Sequence, residues 1–231
     1  MRVAIVGGGP GGLLTSYLLQ GRTSTPIRIK LFEASDRLGG KLFTAQFDSA
    51  PVQYEAGTAE LYGYAHIGCD PLFNLIQGLG LGTINLYSKT VVIDGEILDG
   101  PESIGRHLGT KALYAIQNFH SEARRRVRPL DYYNSGWPDE NRNPLVRKSF
   151  RSLLAKVPSL AARHYLEVAV HSDLATDPAR THALYGLHNV LLEHDDYVRL
   201  YAIEGGMESL TGAVTKKLTA HLALSHRLII S

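Results

Sequence analysis

Apolar positions along the chain first follow a strand, then a helix, then a strand again. Val3-Ala4-Ile5-Val6 is an unbroken apolar run, the pattern of a parallel strand covered on both faces. Leu13, Leu14, Tyr17, Leu18 and Leu19 then recur at helical spacing. A second apolar run covers 27–32 and ends on Glu33. Residues 42–54 read as short strands broken by Asp48-Ser49-Ala50-Pro51, and 57–68 as an irregular segment rich in Gly, Tyr and His. Pro71 opens a helix over 72–79, with Asp70 as N-cap and Gly80-Leu81-Gly82 as its stop. Residues 84–87 and 90–93 read as strands; Asp94-Gly95 is a hairpin signal, and Glu96-Ile97-Leu98 returns.

After Pro101 the period becomes helical. Residues 102–127 form a mostly helical stretch with Ile104, Leu108, Leu113, Ile116 and Phe119 as core positions. Pro129, Gly136, Pro138 and Pro144 make 128–146 a loop. Three helices follow over 146–157, 160–174 and 179–194, with Pro158 and Pro178 near two of the starts. A strand over 198–203 leads through Gly205-Gly206 into a helix over 207–222, and Leu228-Ile229-Ile230 begins another strand. No repeat or low-complexity tract interrupts this layout.

The turn between the first strand and helix is Gly7-Gly8-Gly9-Pro10-Gly11-Gly12. Gly7, Gly9 and Gly12 stand at the spacing G-x-G-x-x-G, inside a strand–helix–strand unit that ends on an acid. The first glycine permits a sharp turn, the second a close approach of pyrophosphate to backbone, and the third close packing of helix on strand. The helix N-terminus attracts the phosphates through its unpaired N–H groups and dipole. Glu33 lies about twenty residues past Gly12, where an acid accepts hydrogen bonds from ribose hydroxyls and repels a 2′-phosphate. The motif therefore points to a dinucleotide, and away from NADP.

Arg37-Leu38-Gly39-Gly40-Lys41, with Thr44 beyond, resembles the R-x-G-G-R-x-x-S/T "GG motif" of the flavin amine oxidase superfamily. That group includes monoamine and polyamine oxidases, L-amino-acid oxidases, phytoene desaturases and protoporphyrinogen oxidases. Lys41 replaces the usual Arg, a point charge in place of a planar fork. Tyr54-Glu55-Ala56-Gly57 is similar to the family's acid-x-Gly segment beside the flavin, and Ile203-Glu204-Gly205-Gly206-Met207 to its P-x-G-G-M.

The resemblance implies an α/β fold, a Rossmann-like FAD/NAD(P)-binding domain with a mainly helical substrate-domain insertion. It implies FAD held by Gly7, Gly8, Gly9, Pro10, Gly11, Gly12, Glu33, Ala34, Arg37, Gly39, Gly40 and Lys41, with Gly57 and Thr58 on the segment beside the flavin. The expected division is 1–60 for FAD binding, 61–198 for the substrate cap, and 199–231 for an incomplete return to the first domain. The expected activity is oxidation of an amine-type small molecule by hydride transfer to flavin. Carotenoid desaturase-like and UDP-galactopyranose mutase-like chemistry remain alternatives, as does a non-catalytic nucleotide-binding remnant or subunit. The family's flavin-closing C-terminal segment has no counterpart, so a fragment, or a second chain completing the site, is expected. The isolated chain is then expected to bind FAD poorly and not to turn over. The family's flavin-side Lys belongs to that absent part, so no catalytic residue is assigned. Glu60 stands about where L-amino-acid oxidases carry a carboxylate-binding Arg, and an acid there would favour an ammonium substrate.

Composition narrows the remaining classes. A formal charge of +2 over 231 residues gives no electrostatic case for nucleic acid. The run Arg124-Arg125-Arg126-Val127-Arg128 reads as a solvated helix end. Cys69 is the only cysteine, which excludes an internal disulfide and suits a small buried residue in a reducing compartment. The first strand leaves no room for a signal peptide, and no apolar run approaches the roughly 20 residues of a membrane span, so a cytoplasmic location is expected. The spacings among His164, His171, His182, His188 and His194 match no metal motif. Tyr62, Tyr64, Tyr185 and Tyr201 read as core or rim aromatics.

Overall fold

The computed structural model describes residues 1–22, 26–86, 90–134, 143–192 and 194–229. Tyr87, Gly136, Pro138 and Ile230, which the sequence places in strands or the loop, lie outside them. In chain order the elements are β1 (Arg2–Val6), α1 (Pro10–Arg22), β2 (Arg28–Phe32), β3 (Thr44–Gln46), β4 (Gln53–Glu55), β5 (Leu61–Gly63), α2 (Pro71–Gly78), β6 (Thr83–Asn85), β7 (Val91–Ile93) and β8 (Glu96–Leu98). Then come α3 (Pro101–Leu108), α4 (Thr110–Arg126), α5 (Pro129–Tyr133), a 3-10 turn (Pro144–Arg147), α6 (Phe150–Leu154), α7 (Leu160–Leu174), α8 (Ala183–Leu191), β9 (Arg199–Ile203), α9 (Glu208–Lys217) and β10 (His221–Ala223).

The chain forms two compact units: Met1–Tyr62, Asp70–Leu86 and Leu200–Ser231 make one, Gly63–Cys69 and Tyr87–Arg199 the other. Residues 70–86 thus belong with the first unit. The reason is burial: Ile76 of α2 is enclosed in the same core as Ile5, Leu13, Ile29, Leu31, Tyr201, Met207 and Leu210. The Asp70 carboxylate caps α2 by accepting from the Phe73 N–H at 2.9 Å.

In the first unit, β1, β2 and β10 form a parallel sheet in that order, with Ile5 opposite Leu31 and Leu222 opposite Leu31 on the other side. A second sheet orders β5-β9-β6, so 61–63 is a strand inside the segment read as irregular. The helix expected to reach 222 ends at Lys217. The Gln20 side chain holds that end, its Nε2 donating to the Lys217 carbonyl at 2.6 Å and its Oε1 accepting from the Thr219 N–H at 2.8 Å. Released from the helix, 221–223 pairs with β2 as the third parallel strand. Leu228 and Ile229, read as a strand, are exposed and outside regular structure.

The second unit holds the β7–β8 hairpin, and its described residues are otherwise mainly helical. Gly109, at φ +87°, separates α3 from α4 within the stretch read as one helical region. α4 buries Ala112, Ala115, Ile116 and Ala123, while Leu113 and Phe119 are only half-buried. Small side chains let neighbouring helices approach α4 closely. The helix expected over 146–157 splits because 148–150 pairs across to 181–183. Phe150 N–H donates to the Thr181 carbonyl and Ala183 N–H to the Lys148 carbonyl, both at 2.8 Å. That pairing needs extended backbone, so it overrides the local period and also delays α8 until Ala183.

Candidate functional site

The glycine turn leaves β1 at Gly7, whose φ of +98° is open to glycine at no steric cost. Gly7 N–H donates to the Phe32 carbonyl at 2.8 Å, closing the turn onto the end of β2. Gly8 N–H then donates to Glu33 Oε2 at 2.6 Å. A Cβ on Gly12 would overlap the Gly7 carbonyl oxygen. Its lack of a side chain is what lets α1 lie against β1. Gly11 faces open space, and the first helical bond closes only at Leu13, which donates to the Gly9 carbonyl at 3.0 Å. The Gly11 and Gly12 N–H groups therefore precede the closed turns of α1, the position where an anion is favoured.

Glu33 is set by three donors. Its Oε1 accepts from the Ser35 N–H and hydroxyl, each at 2.8 Å, and its Oε2 from Gly8. The Ser35 backbone N–H first, and that of Gly8 next, hold the carboxyl below its ordinary range. The group is anionic at neutral pH and retains acceptor capacity for a hydroxyl. Ala34 is exposed beside it.

The second glycine pair packs on the first. Gly39 N–H donates to the Gly8 carbonyl at 2.8 Å, and a Cβ on Gly40 would meet Gly9 Cα at 3.1 Å. Arg37 locks this loop, its Nη2 donating to the Gly40 carbonyl at 2.7 Å and its guanidinium lying 4.4 Å from the Phe43 ring centroid. The Lys41 carbonyl accepts from the Thr58 N–H at 2.8 Å, and a Cβ on Gly57 would overlap that same carbonyl. Glycine at 57 is thus required by close approach of two backbones.

Three separated segments meet at the start of α9. Thr44 Oγ1 donates to Glu55 at 3.0–3.1 Å and accepts from the Glu208 N–H at 3.1 Å. Glu55 Oε1 also accepts from the Met207 N–H at 2.9 Å. Gly206, at φ +96°, brings the chain against the Thr44 side chain, which a Cβ there would overlap. Sequence reasoning missed Glu55 and Thr44 as a helix-capping pair. Their only signal was that an acid and a hydroxyl occur in motifs that also contain tight glycines.

Glu60 and Gly57 are exposed, as is Tyr62. Tyr201 is buried edge-on to Phe73, with ring centroids 5.4 Å apart. In the second unit Tyr185 is exposed and Tyr64 lies 5.8 Å from the Tyr133 ring. Cys69 is exposed, unlike the buried residue expected: it lies outside regular structure, and its carbonyl accepts from the Tyr133 hydroxyl. The arginine run is ion-paired at the surface: Arg124 to Asp196, Arg125 and Arg126 to Glu122, and Arg128 to Asp131. Among the described residues no group of three or more His, Cys, Asp or Glu is placed to hold a metal, and no helix is long and apolar enough to cross a membrane.

Residues 5–67 match the family model of the NAD(P)-binding Rossmann-like domain. A triple mutant of putrescine oxidase superposes at a TM-score of 0.65 with 21% identity, covering 96% of this chain and 50% of that one. Cyclohexylamine oxidase from Brevibacterium oxydans superposes at 0.64 with 20% identity, over 97% of this chain and 51% of that one. The fold of this chain is that of the matching half of putrescine oxidase and cyclohexylamine oxidase. The chain spans about half the length of these oxidases. Achacin of Lissachatina fulica is 37% identical over 65 residues, which are 28% of this chain and 12% of that protein. Monooxygenase PC-14 of Penicillium crustosum is 44% identical over 54 residues, 22% of this chain and 9% of that protein.

Proposed function

We propose that the chain is the FAD-binding part of an FAD-dependent oxidoreductase that oxidises an amine-type substrate. The observation that carries the reading is the contact between the two glycine motifs. The Gly39–Gly8 hydrogen bond lays a second glycine pair against the turn that faces α1, while Gly8 also holds Glu33. The result is a side-chain-free cradle with helix donors at one end and a fixed carboxylate at the other. These groups fit the adenosine diphosphate half of FAD: Gly9, Gly11 and Gly12 toward the pyrophosphate, Glu33 toward the ribose. Arg37 would act by holding Gly40 in place, and Lys41 would add positive charge at an exposed position. Bound FAD supplies the hydride acceptor; the chain's residues bind and orient it.

The amine reading draws on the names of the two solved oxidases and on the acid at Glu60, which would attract an ammonium. The test is binding of FAD, NAD and NADP to the purified chain, read by calorimetry and by flavin fluorescence. FAD is expected to bind weakly, through its adenosine diphosphate half, and to be displaced by ADP, with NADP weakest because Glu33 repels a 2′-phosphate. Binding of NAD with no interaction with FAD would overturn the proposal. For the substrate class, Glu60→Gln in the active enzyme is expected to raise KM for a cationic amine; unchanged kinetics would remove Glu60 from the site.

A further inference from the structure

Helix α9 opens without a cap of its own: Met207 stands at its start and makes no side-chain capping bond. The acceptors come from β3 and β4, 164 and 152 residues earlier in the chain. Thr44 Oγ1 accepts from the Glu208 N–H at 3.1 Å, while Glu208 Oε2 accepts from the Thr44 N–H at 3.3 Å. This is the reciprocal bonding of a capping box, made between remote segments. Glu55, which pairs with Thr44 in the β3–β4 ladder, takes the Met207 N–H at 2.9 Å. The Thr44 hydroxyl joins the two halves, since it also donates to Glu55.

The helix held in this way backs the second glycine pair. A Cβ on Gly39 would lie 2.9 Å from Thr211 Oγ1 and 2.8 Å from the Leu42 carbonyl oxygen. α9 also packs against α1. Pro10 and Leu14 of α1 meet Leu42, Thr211 and Val214 around a gap of only about 10 Å3, which leaves α9 little slack. Gly39 N–H in turn donates to the Gly8 carbonyl. Segment 39–44 is thus held at Gly39 by the first glycine turn and at Thr44 by α9.

We propose that Thr44 and Glu55 are positioning residues for the cofactor: by capping α9 from outside, they fix the surface on which Gly39 and α1 rest. The inference deepens the FAD reading and rests on it. Their action runs through α9 to the glycine loop, not through contact with the dinucleotide.

The experiment compares Thr44→Val, Thr44→Ser and a control, Asp70→Ala, in the full 231-residue chain. The control removes the cap of α2, a different helix of the same unit. ADP affinity is read by calorimetry, and exchange of the Gly39 amide by NMR without ligand. Relative to Asp70→Ala, Thr44→Val is expected to weaken ADP about fivefold and to speed Gly39 exchange by a similar factor. Thr44→Ser keeps the hydroxyl and is expected to stay within about twofold of wild type in both. If Thr44→Val does not fold, Glu55→Ala, which removes the acceptor of the Met207 N–H, decides in its place. Gly39 exchange or ADP affinity no different from that of Asp70→Ala, in a wild type that binds ADP, would overturn this inference alone. A wild type that binds neither ADP nor FAD would overturn the cofactor reading and this inference with it.

Discussion

At the scale of single residues, the glycines of the first turn do different physical work and respond differently to substitution. A Cβ on Gly9 would meet only Gly40 Cα at 3.8 Å, an ordinary contact. Gly9→Ala is therefore expected to change stability by less than about 1 kcal/mol while filling space the pyrophosphate needs. Gly12→Ala drives a methyl into the Gly7 carbonyl and is expected to cost about 2–3 kcal/mol through displacement of α1. Urea unfolding and FAD titration of both variants separate the two roles. Equal stability losses would show that Gly9 is also a packing glycine. The spacing of these residues was legible in the sequence because each must be glycine for its own reason. Glu55 was legible only as part of a resemblance, since its partners at Thr44 and Met207 are far away along the chain.

At the scale of elements, the packing of α6 against α8 turns on one ring. Phe150 is fully buried, and its ring lies against Gly186 of α8, where a Cβ would overlap it. Gly186→Ala is expected to destabilise by about 1–3 kcal/mol through overpacking, although alanine is the better helix former. Phe150→Ala is expected to cost about 3–5 kcal/mol through the cavity it leaves. Chemical denaturation checks both, and a neutral Gly186→Ala would mean that α6 and α8 pack less closely than described. The short length of α6 follows from the same place. Lys148 and Phe150 hydrogen-bond to the 181–183 segment, so helix begins only where those bonds end.

At the scale of the whole molecule, stability should fall on acidification for two reasons of the same sign. Burial pushes the His188 imidazole from 6.5 down to about 4. Between those values the unfolded chain takes up a proton that the folded chain does not, so stability rises with pH across that window. Its contribution is complete above the unfolded value and lost on the way down, amounting to about 2 kcal/mol between pH 7 and 5. Glu33, held below its ordinary 4.5 mainly by the Ser35 backbone N–H, adds stability above that pH that is lost as pH falls further. Urea midpoints at pH 7, 6 and 5 should decline more steeply for the wild type than for His188→Gln. Parallel curves would show that His188 takes up its proton in the folded state as it does in the unfolded chain.

The sequence by itself determined the β1–α1–β2 unit, the glycine turn, the acid at Glu33, the capped start of α2 and the β7–β8 hairpin. In each case residues close along the chain interact, so period, turn chemistry and caps carry the information. Only the tertiary structure decided that 70–86 belongs with the first unit, that 221–223 is the third parallel strand while 228–229 lies outside regular structure, and that the helix expected over 146–157 is broken. Those outcomes rest on Ile76 entering a distant core, on Gln20 holding the end of α9, and on 148–150 pairing with 181–183. A local hydrophobic period is the same whether or not such a partner arrives, so the choice is made by packing and backbone hydrogen bonds between segments remote in sequence.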